Sequence, residues 1–165
     1  MKQYFVLFLA CFMMLVFTGC HTNTPVEEGP AFYYCAADLN YDMQSKAILS
    51  EHRTDAQNGS LEETLTLYLA GPQSETLRSP FPAGLTLVQA HRGYTDLSIT
   101  LSDELAALSG LELTIVCCCL TLTGMELTGA EQVVISAENA LLNGQKSITM
   151  DRNSLLLLDT VLEGD

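Results

Sequence analysis

Residues 60–84 read SLEETLTLYLAGPQSETLRSPFPAG, and the order of signals in them sets the architecture. Ser60 and Glu63 have Ser-x-x-Glu spacing, so the Ser60 hydroxyl can accept from a free backbone N–H while Glu63 reaches back to the Ser60 N–H. Leu61, Leu65, Tyr68 and Leu69 recur at i, i+4, i+7 and i+8, the apolar face of a helix. Gly71 stands just past the last turn and Pro72 cannot continue it. Gln73–Gly84 follows as a loop punctuated by Pro80 and Pro82. A helix this short holds its shape by burying that face on a sheet.

Strand signals lie on both sides. Upstream, Ala31 opens the run AFYYCAADL, a first strand; Asn40–Lys46 is a polar loop; Ala47–Arg53 is a second short strand ending in the turn-rich Asp55–Gly59. Downstream, Leu85–His91 and Tyr94–Leu101 are separated by Arg92-Gly93, and Leu97, Ile99 and Leu101 alternate with Asp96, Ser98 and Thr100. That is a hairpin with one buried face. After the link Ser102–Gly110, Ser109-Gly110-Leu111-Glu112 repeats the capping-box spacing, with Leu111, Ile115, Cys118, Cys119 and Leu122 as an apolar stripe before Gly124. Thr114, Ile115, Val116, Thr121 and Thr123 are β-branched and favour a strand. Length and caps favour a helix, which is the prediction. Glu131–Ser136 is a last clear strand, and Leu155–Leu158 with Val161 and Leu162 adds an edge strand or an irregular tail.

The first 20 residues, MKQYFVLFLACFMMLVFTGC, belong to another class. Lys2 precedes an uncharged apolar run from Tyr4 to Phe17, about 14 residues, short of the roughly 20 that span a bilayer. The ending Phe-Thr-Gly-Cys resembles the bacterial lipobox, with Phe17 where Leu is usual. Residues 1–19 are accordingly read as a lipoprotein signal peptide, Cys20 as the lipid-attachment residue carrying diacylglyceryl and palmitate, and residues 20–30 as a Pro- and Gly-containing tether. This places the chain on the cell membrane, lipid-anchored, on its extracytoplasmic face.

Composition agrees with two unlike parts. The 165 residues carry 7 Lys+Arg against 20 Asp+Glu, a net charge of −13, yet mean hydropathy is +0.22. Much of the apolar excess sits in the signal, and losing Lys2 with residues 1–19 takes the charge to −14. No basic stripe is present to neutralise phosphates, which excludes nucleic acid as a partner. The acidic part is rich in Leu, Ile and Val, which excludes a disordered chain.

Leu69-Ala70-Gly71-Pro72 followed by Ser79-Pro80-Phe81-Pro82-Ala83-Gly84 resembles the L-x-G-P … s-P-x-P-x-G signature of the GerMN domain, a sporulation and spore germination family. In order with it, Leu49–Arg53 resembles a Leu-x-Glu-x-Arg segment before the first helix. Gly93–Ser102 resembles a strand ending in Ser, Leu120–Thr123 a helix end, and Val133-Val134-Ile135 the final strand. Ser136–Gly144 is longer than the family's usual turn, and three Cys in the second helix are foreign to the pattern. The likeness covers about residues 31–145, with 146–165 as a C-terminal extension of the same domain or a tail. It implies an α+β class: a single small domain of the ring-building type, a sheet of three to five strands with two helices packed on one face. It gives Gly71, Pro72, Pro80, Pro82 and Gly84 structural roles. It also implies a non-catalytic module contacting envelope or sporulation proteins, with no cofactor.

Residue chemistry supplies no competing site. Cys11 leaves with the signal, so Cys35 and Cys117, Cys118 and Cys119 remain. Adjacent helical residues point about 100° apart, so the triplet cannot converge on one ion, and small core residues or a disulfide from Cys35 to the triplet are the readings left open. His21, His52 and His91 are scattered, no Gly-x-Ser-x-Gly or Gly-rich phosphate loop occurs, and Glu62-Glu63 suits a helix first turn. The alternative reading is a lipid-anchored receptor for a small ligand or cation, motivated by the acidity. Cys20→Ala should abolish incorporation of a radiolabelled fatty acid and shift the full-length chain out of the membrane fraction; unchanged labelling would refute the lipid anchor.

Overall fold

The computed structural model describes residues 29–38 and 47–159. The signal, Cys20, nearly all of the tether, the Asn40–Lys46 loop, and Val161 and Leu162 lie outside them. β1 (Ala31–Ala36), β2 (Ile48–His52) and β3 (Leu77–Arg78) form an antiparallel sheet in the order β2-β1-β3. β4 (Leu87–Arg92), β5 (Asp96–Leu101), β6 (Gln132–Ala137) and β7 (Ile148–Asp151) form a second sheet in sequence order. Its β5–β6 pair is parallel and its other pairs are antiparallel. The helices are α1 (Leu61–Leu69), α2 (Gly110–Thr128) and α3 (Arg152–Asp159), with 3-10 turns at Thr54–Ala56 and Asp103–Ala107. The class is α+β, with the strands divided between two sheets.

The capping box at α1 forms as its spacing requires: the Glu63 N–H donates to Ser60 Oγ at 3.3 Å, and the Ser60 N–H to Glu63 Oε2 at 2.8 Å. Leu65 and Tyr68 are buried, and Gly71 stands past the helix end at φ 102°, a left-handed backbone that glycine adopts without a Cβ penalty. The hairpin also forms. Leu97, Ile99 and Leu101 are buried on one face of β5, and Arg92 stays in β4 opposite Leu97, so the turn begins at Gly93.

α2 is where the structure departs most from the sequence. The expected stripe put Leu111 on the buried face, whereas Leu111 is 69% exposed and burial covers Leu113, Val116, Cys117–Thr121 and Thr123–Met125. The helix packs against β1 of one sheet and against β5, β6 and β7 of the other, and Leu111, Ile115, Leu122 and Glu126, at i, i+4, i+11 and i+15, line its least buried side, so three residues of the expected stripe lie away from the core. Gly124 does not end it. The helix runs to Thr128 and closes with Gly129 at φ 67°, so Leu120–Thr123 lie in its interior. Gly124 is instead a contact point: a Cβ built there would lie 2.7 Å from Leu97 Cδ2 and 3.3 Å from Val133 Cγ2, so glycine lets the helix settle on β5 and β6. The second capping box is absent, because Gly110 takes φ 55° at the first helical position and Ser109 makes no side-chain cap bond. Thr121 Oγ1 is buried with no partner, a cost of about 1–3 kcal/mol.

The chain end is also different. β7, which no sequence signal suggested, pairs with β6, and the Leu155–Leu158 run falls in a helix, neither a strand nor an irregular tail. Asp151 starts that helix: its carboxylate accepts from the Ser154 N–H at 2.8 Å and from Ser154 Oγ at 2.7 Å. The two-residue β3 was likewise hidden in the Pro loop. Gly124→Ala should lower the urea midpoint by the equivalent of about 1 kcal/mol, overpacking against Leu97 outweighing the helix-propensity gain over glycine. A stabilised variant would show that α2 does not rest on the sheet at this point.

Candidate functional site

Gly71, Pro72, Pro80, Pro82 and Gly84, separated by up to thirteen residues in sequence, fall in one corner of the domain. A Cβ at Gly71 would lie 3.7 Å from Ser79 Cβ, so the Gly-Pro turn and the start of the Pro-x-Pro loop touch. Pro72, Pro80 and Pro82 are half-buried. Gly84 is exposed at φ 84°, in a turn closed by the Leu85 N–H donating to the Pro82 carbonyl at 3.3 Å. Between the prolines, Phe81 meets Tyr68 edge-on at 5.0 Å between ring centroids and Tyr34 at 6.3 Å, and Phe32 meets Tyr68 at 5.2 Å. These rings join the loop, α1 and β1.

The polar half of the corner is built on Glu51, Arg53 and Asp55. Glu51 lies in β2, Arg53 just past its end, and Asp55 in the 3-10 turn that follows, which folds its carboxylate back onto the guanidinium. Arg53 is 4% exposed, and its guanidinium donates to Asp55 Oδ1 at 2.8 Å, Asp55 Oδ2 at 2.9 Å, Glu51 Oε1 at 3.3 Å and the Gly71 carbonyl at 3.3 Å. It also lies 5.5 Å from the Phe32 ring centroid. The Glu51 carboxylate accepts from the Gln73 N–H at 2.9 and 3.1 Å and from the Ser74 N–H at 2.9 Å. One triad therefore grips both ends of the Gly71–Ser74 turn. Arg53 holds the Asp55 carboxyl below the usual carboxylate range. Sequence reading noticed Glu51 and Arg53 only as a motif match and missed Asp55; the i+2 alternation of opposite charges was the available signal.

The tyrosines supply what β1 lacks. β3 pairs only with Cys35 and Ala36, so the Tyr33 backbone needs other partners, and it finds them in side chains. Its N–H donates to Thr123 Oγ1 of α2 at 3.0 Å, and its carbonyl accepts from the Tyr68 hydroxyl at 2.8 Å. The Tyr34 hydroxyl donates to the Tyr68 carbonyl at 2.8 Å. Burial raises both phenols well above the ordinary tyrosine range, so they remain donors.

The concave surfaces lie elsewhere. A cavity of about 590 Å³ is bordered by Gly29-Pro30, Gln57, Leu61, Arg92 and Glu126, and one of about 260 Å³ by Leu113, Cys117, Ile148 and Met150. Among the described residues, no group of three or more His, Cys, Asp or Glu could hold a metal ion. β2 and β4 are largely exposed, and Tyr94 is fully exposed in the turn between β4 and β5.

No protein-family profile and no curated protein sequence matches the chain. A solved structure does: the tandem GerMN domains of the sporulation protein GerM from Bacillus subtilis, with a TM-score of 0.55 and 15% sequence identity. The likeness covers 76% of this chain and 45% of that one, less than half its length. The fold is GerMN-like.

Arg53→Met should destabilise the domain by roughly 2–3 kcal/mol, less than a fully buried pair because Asp55 is 43% exposed. The carboxyls of Asp55, Glu63, Asp103 and Asp151 are held low by hydrogen bonds, from Arg53, Ser60, Asn139 and Ser154 respectively. Their contribution is present above the unfolded carboxylate pKa near ~4 and is lost as pH falls through the lower folded values. The melting temperature should therefore drop below about pH 4, less steeply in Arg53→Met than in the parent; parallel curves would mean that the Arg53–Asp55 pair does not contribute.

Proposed function

We propose that this chain is a non-catalytic, lipid-anchored extracytoplasmic protein whose GerMN-like domain makes protein–protein contacts in the cell envelope, in sporulation or germination. The observation that carries the reading is the fold, because the similar structure is that of a sporulation protein built from such domains. The match spans under half of that protein, so the proposal takes over a kind of work for one domain and not the tandem protein's role. The lipoprotein-like N-terminus supports the location.

The corner geometry supports a module that presents surface. Arg53, Glu51 and Asp55 are committed to one another and to the backbone of one turn, and so keep a shape. That shape holds β2 on one side and the Pro loop leading into β4 on the other. β4 carries a bulge between Leu87 and Gln89, and β2 carries Glu51 and His52, features that blunt indiscriminate strand addition. Recognition then falls to side chains such as Tyr94 and Val88, the latter 44% exposed. The receptor reading has the larger cavity to draw on, but that cavity is lined by Arg92 as well as Glu126, which does not suit a cation.

A photo-cross-linking residue placed at Tyr94 or Val88 of the full-length chain, expressed in its own envelope, tests this. The expected result is a discrete adduct with an envelope protein, absent when the same residue replaces Glu62 on the outer face of α1. Equal cross-linking at all three positions, or adducts with cytoplasmic chaperones alone, would overturn it.

A further inference from the structure

The domain has two ends, and α2 measures the distance between them. β5 and β6 are parallel, so α2 returns the chain from the Leu101 end of that pair to the Asp96 end. At 1.5 Å per residue, Gly110–Thr128 covers roughly 27 Å. Beside its C-terminus lies the turn between β4 and β5, where the Glu131 N–H donates to the Thr95 carbonyl at 2.7 Å. Leu111 is exposed at the opposite end.

The chain enters the domain at the first of these ends. The larger cavity is bordered by Gly29 and Pro30, by Arg92 at the end of β4, and by Glu126 and Thr128 of α2. The entry point is held. The Arg53 N–H donates to the Pro30 carbonyl at 3.1 Å, the Gly29 carbonyl meets His52 Nδ1 at 3.0 Å, and a Cβ on Gly29 would overlap the Arg53 carbonyl. Residues 21–28 alone separate Cys20 from Gly29. Nine Cα steps reach at most about 32 Å, and a coil of that length averages about 15–18 Å. A domain of this size has a radius of gyration of about 14 Å, so its far side lies beyond the tether's average reach. An anchor at Cys20 therefore turns the end with Gly29, Arg92 and Tyr94 toward the bilayer and the Leu111 end away from it.

That end offers Tyr94, fully exposed, beside the exposed acids Glu126 and Glu131 and the single cation Arg92. Glu27 and Glu28 precede Gly29 in the tether, and the chain beyond the signal carries −14. No basic cluster gives anionic headgroups a counter-charge there. The bilayer is what this end stands over, not what it binds.

We propose that this end docks on an integral membrane protein, through a basic extracytoplasmic segment close to the partner's transmembrane span. A Lys or Arg of that segment meets Glu126 and Glu131, and an apolar side chain packs on Tyr94 and the cavity mouth, where Leu61 and Leu127 are half-buried. The contact presupposes the lipid anchor and protein-binding role proposed above, and specifies the end of the domain and the membrane layer in which the partner lies.

Two measurements on the full-length lipidated chain test this. Probes are introduced as non-natural residues, because Cys35, Cys117, Cys118 and Cys119 are buried free thiols. The chain is first reconstituted in vesicles of phosphatidylethanolamine and phosphatidylglycerol carrying a headgroup-labelled acceptor lipid. Energy transfer from a fluorophore at Tyr94 should exceed that from one at Leu111; equal or reversed transfer overturns the orientation. Photo-cross-linking from Tyr94 in native membranes should then give an adduct with a protein that has transmembrane segments, mapped to a basic extracytoplasmic peptide. Its yield should fall by up to about ninefold when roughly 30 Gly/Ser residues are inserted between Thr24 and Pro25, because effective concentration falls as about the −3/2 power of tether length. A yield indifferent to tether length, or an adduct with phospholipid, overturns the proposal. So does an adduct with a soluble envelope protein or one from Val88 alone, and either leaves the protein-contact reading standing. No protein adduct from either position removes both.

Discussion

The fold depends on α2 having two sheets to lie between. A 19-residue helix with mean hydropathy 1.5 is long and apolar enough to cross a membrane, and in water it needs cover around most of its circumference. β5, β6 and β7 supply one side and β1 the other. Close approach on the first side requires the bare backbone of Gly124 over Leu97 and Val133. Contact on the second uses a polar group, Thr123, to satisfy the Tyr33 N–H that the short β3 leaves unpaired. Burial gives the driving force, and these two points fix the helix along its axis and about it.

The three-stranded sheet is small and would be marginal alone. Its support comes from side chains that complete its hydrogen bonds and cover its face. Tyr68 does both: its ring packs on Phe32, Tyr34 and Phe81 while its hydroxyl meets the Tyr33 carbonyl. Arg53 then ties β2 to the turn that ends α1. The Glu51–Arg53–Asp55 triad is thus the polar counterpart of the aromatic cluster, and both converge on the segment 71–84. Rigidity there is useful to a protein whose proposed work is to hold out an edge and a hairpin for a partner.

Local signals in the sequence were readable wherever neighbours in sequence complete them. Ser60 and Glu63 cap α1 through bonds within one turn, and Gly71 takes its positive φ from the same turn, so α1 is legible to the residue. The alternation in β5 is equally local. Ser109 and Glu112 carry the same spacing, but Gly110 at φ 55° spoils the geometry, which no spacing rule reports. β7 and α3 escaped because Ile148–Asp151 is a strand only through β6, and because Asp151-x-x-Ser154 is a weaker start signal than Ser-x-x-Glu. Of the corner, the glycines and prolines were visible as punctuation. The grip of Arg53 on Gly71, eighteen residues away, was not.

The sequence alone determined the α+β class, the capped first helix, the hairpin and its buried face, the resemblance carried by the Gly-Pro and Pro-x-Pro segments, and the separation of an apolar leader from an acidic domain. Each rests on periodicity, capping or composition, properties of residues a few positions apart. The tertiary structure decided that there are two sheets, that α2 lies between them with Leu111 on its open side, and that Arg53 reaches the Gly71 carbonyl. Those outcomes depend on which surfaces meet, and a helix with apolar residues on every side carries no record in its own spacing of which side meets which sheet.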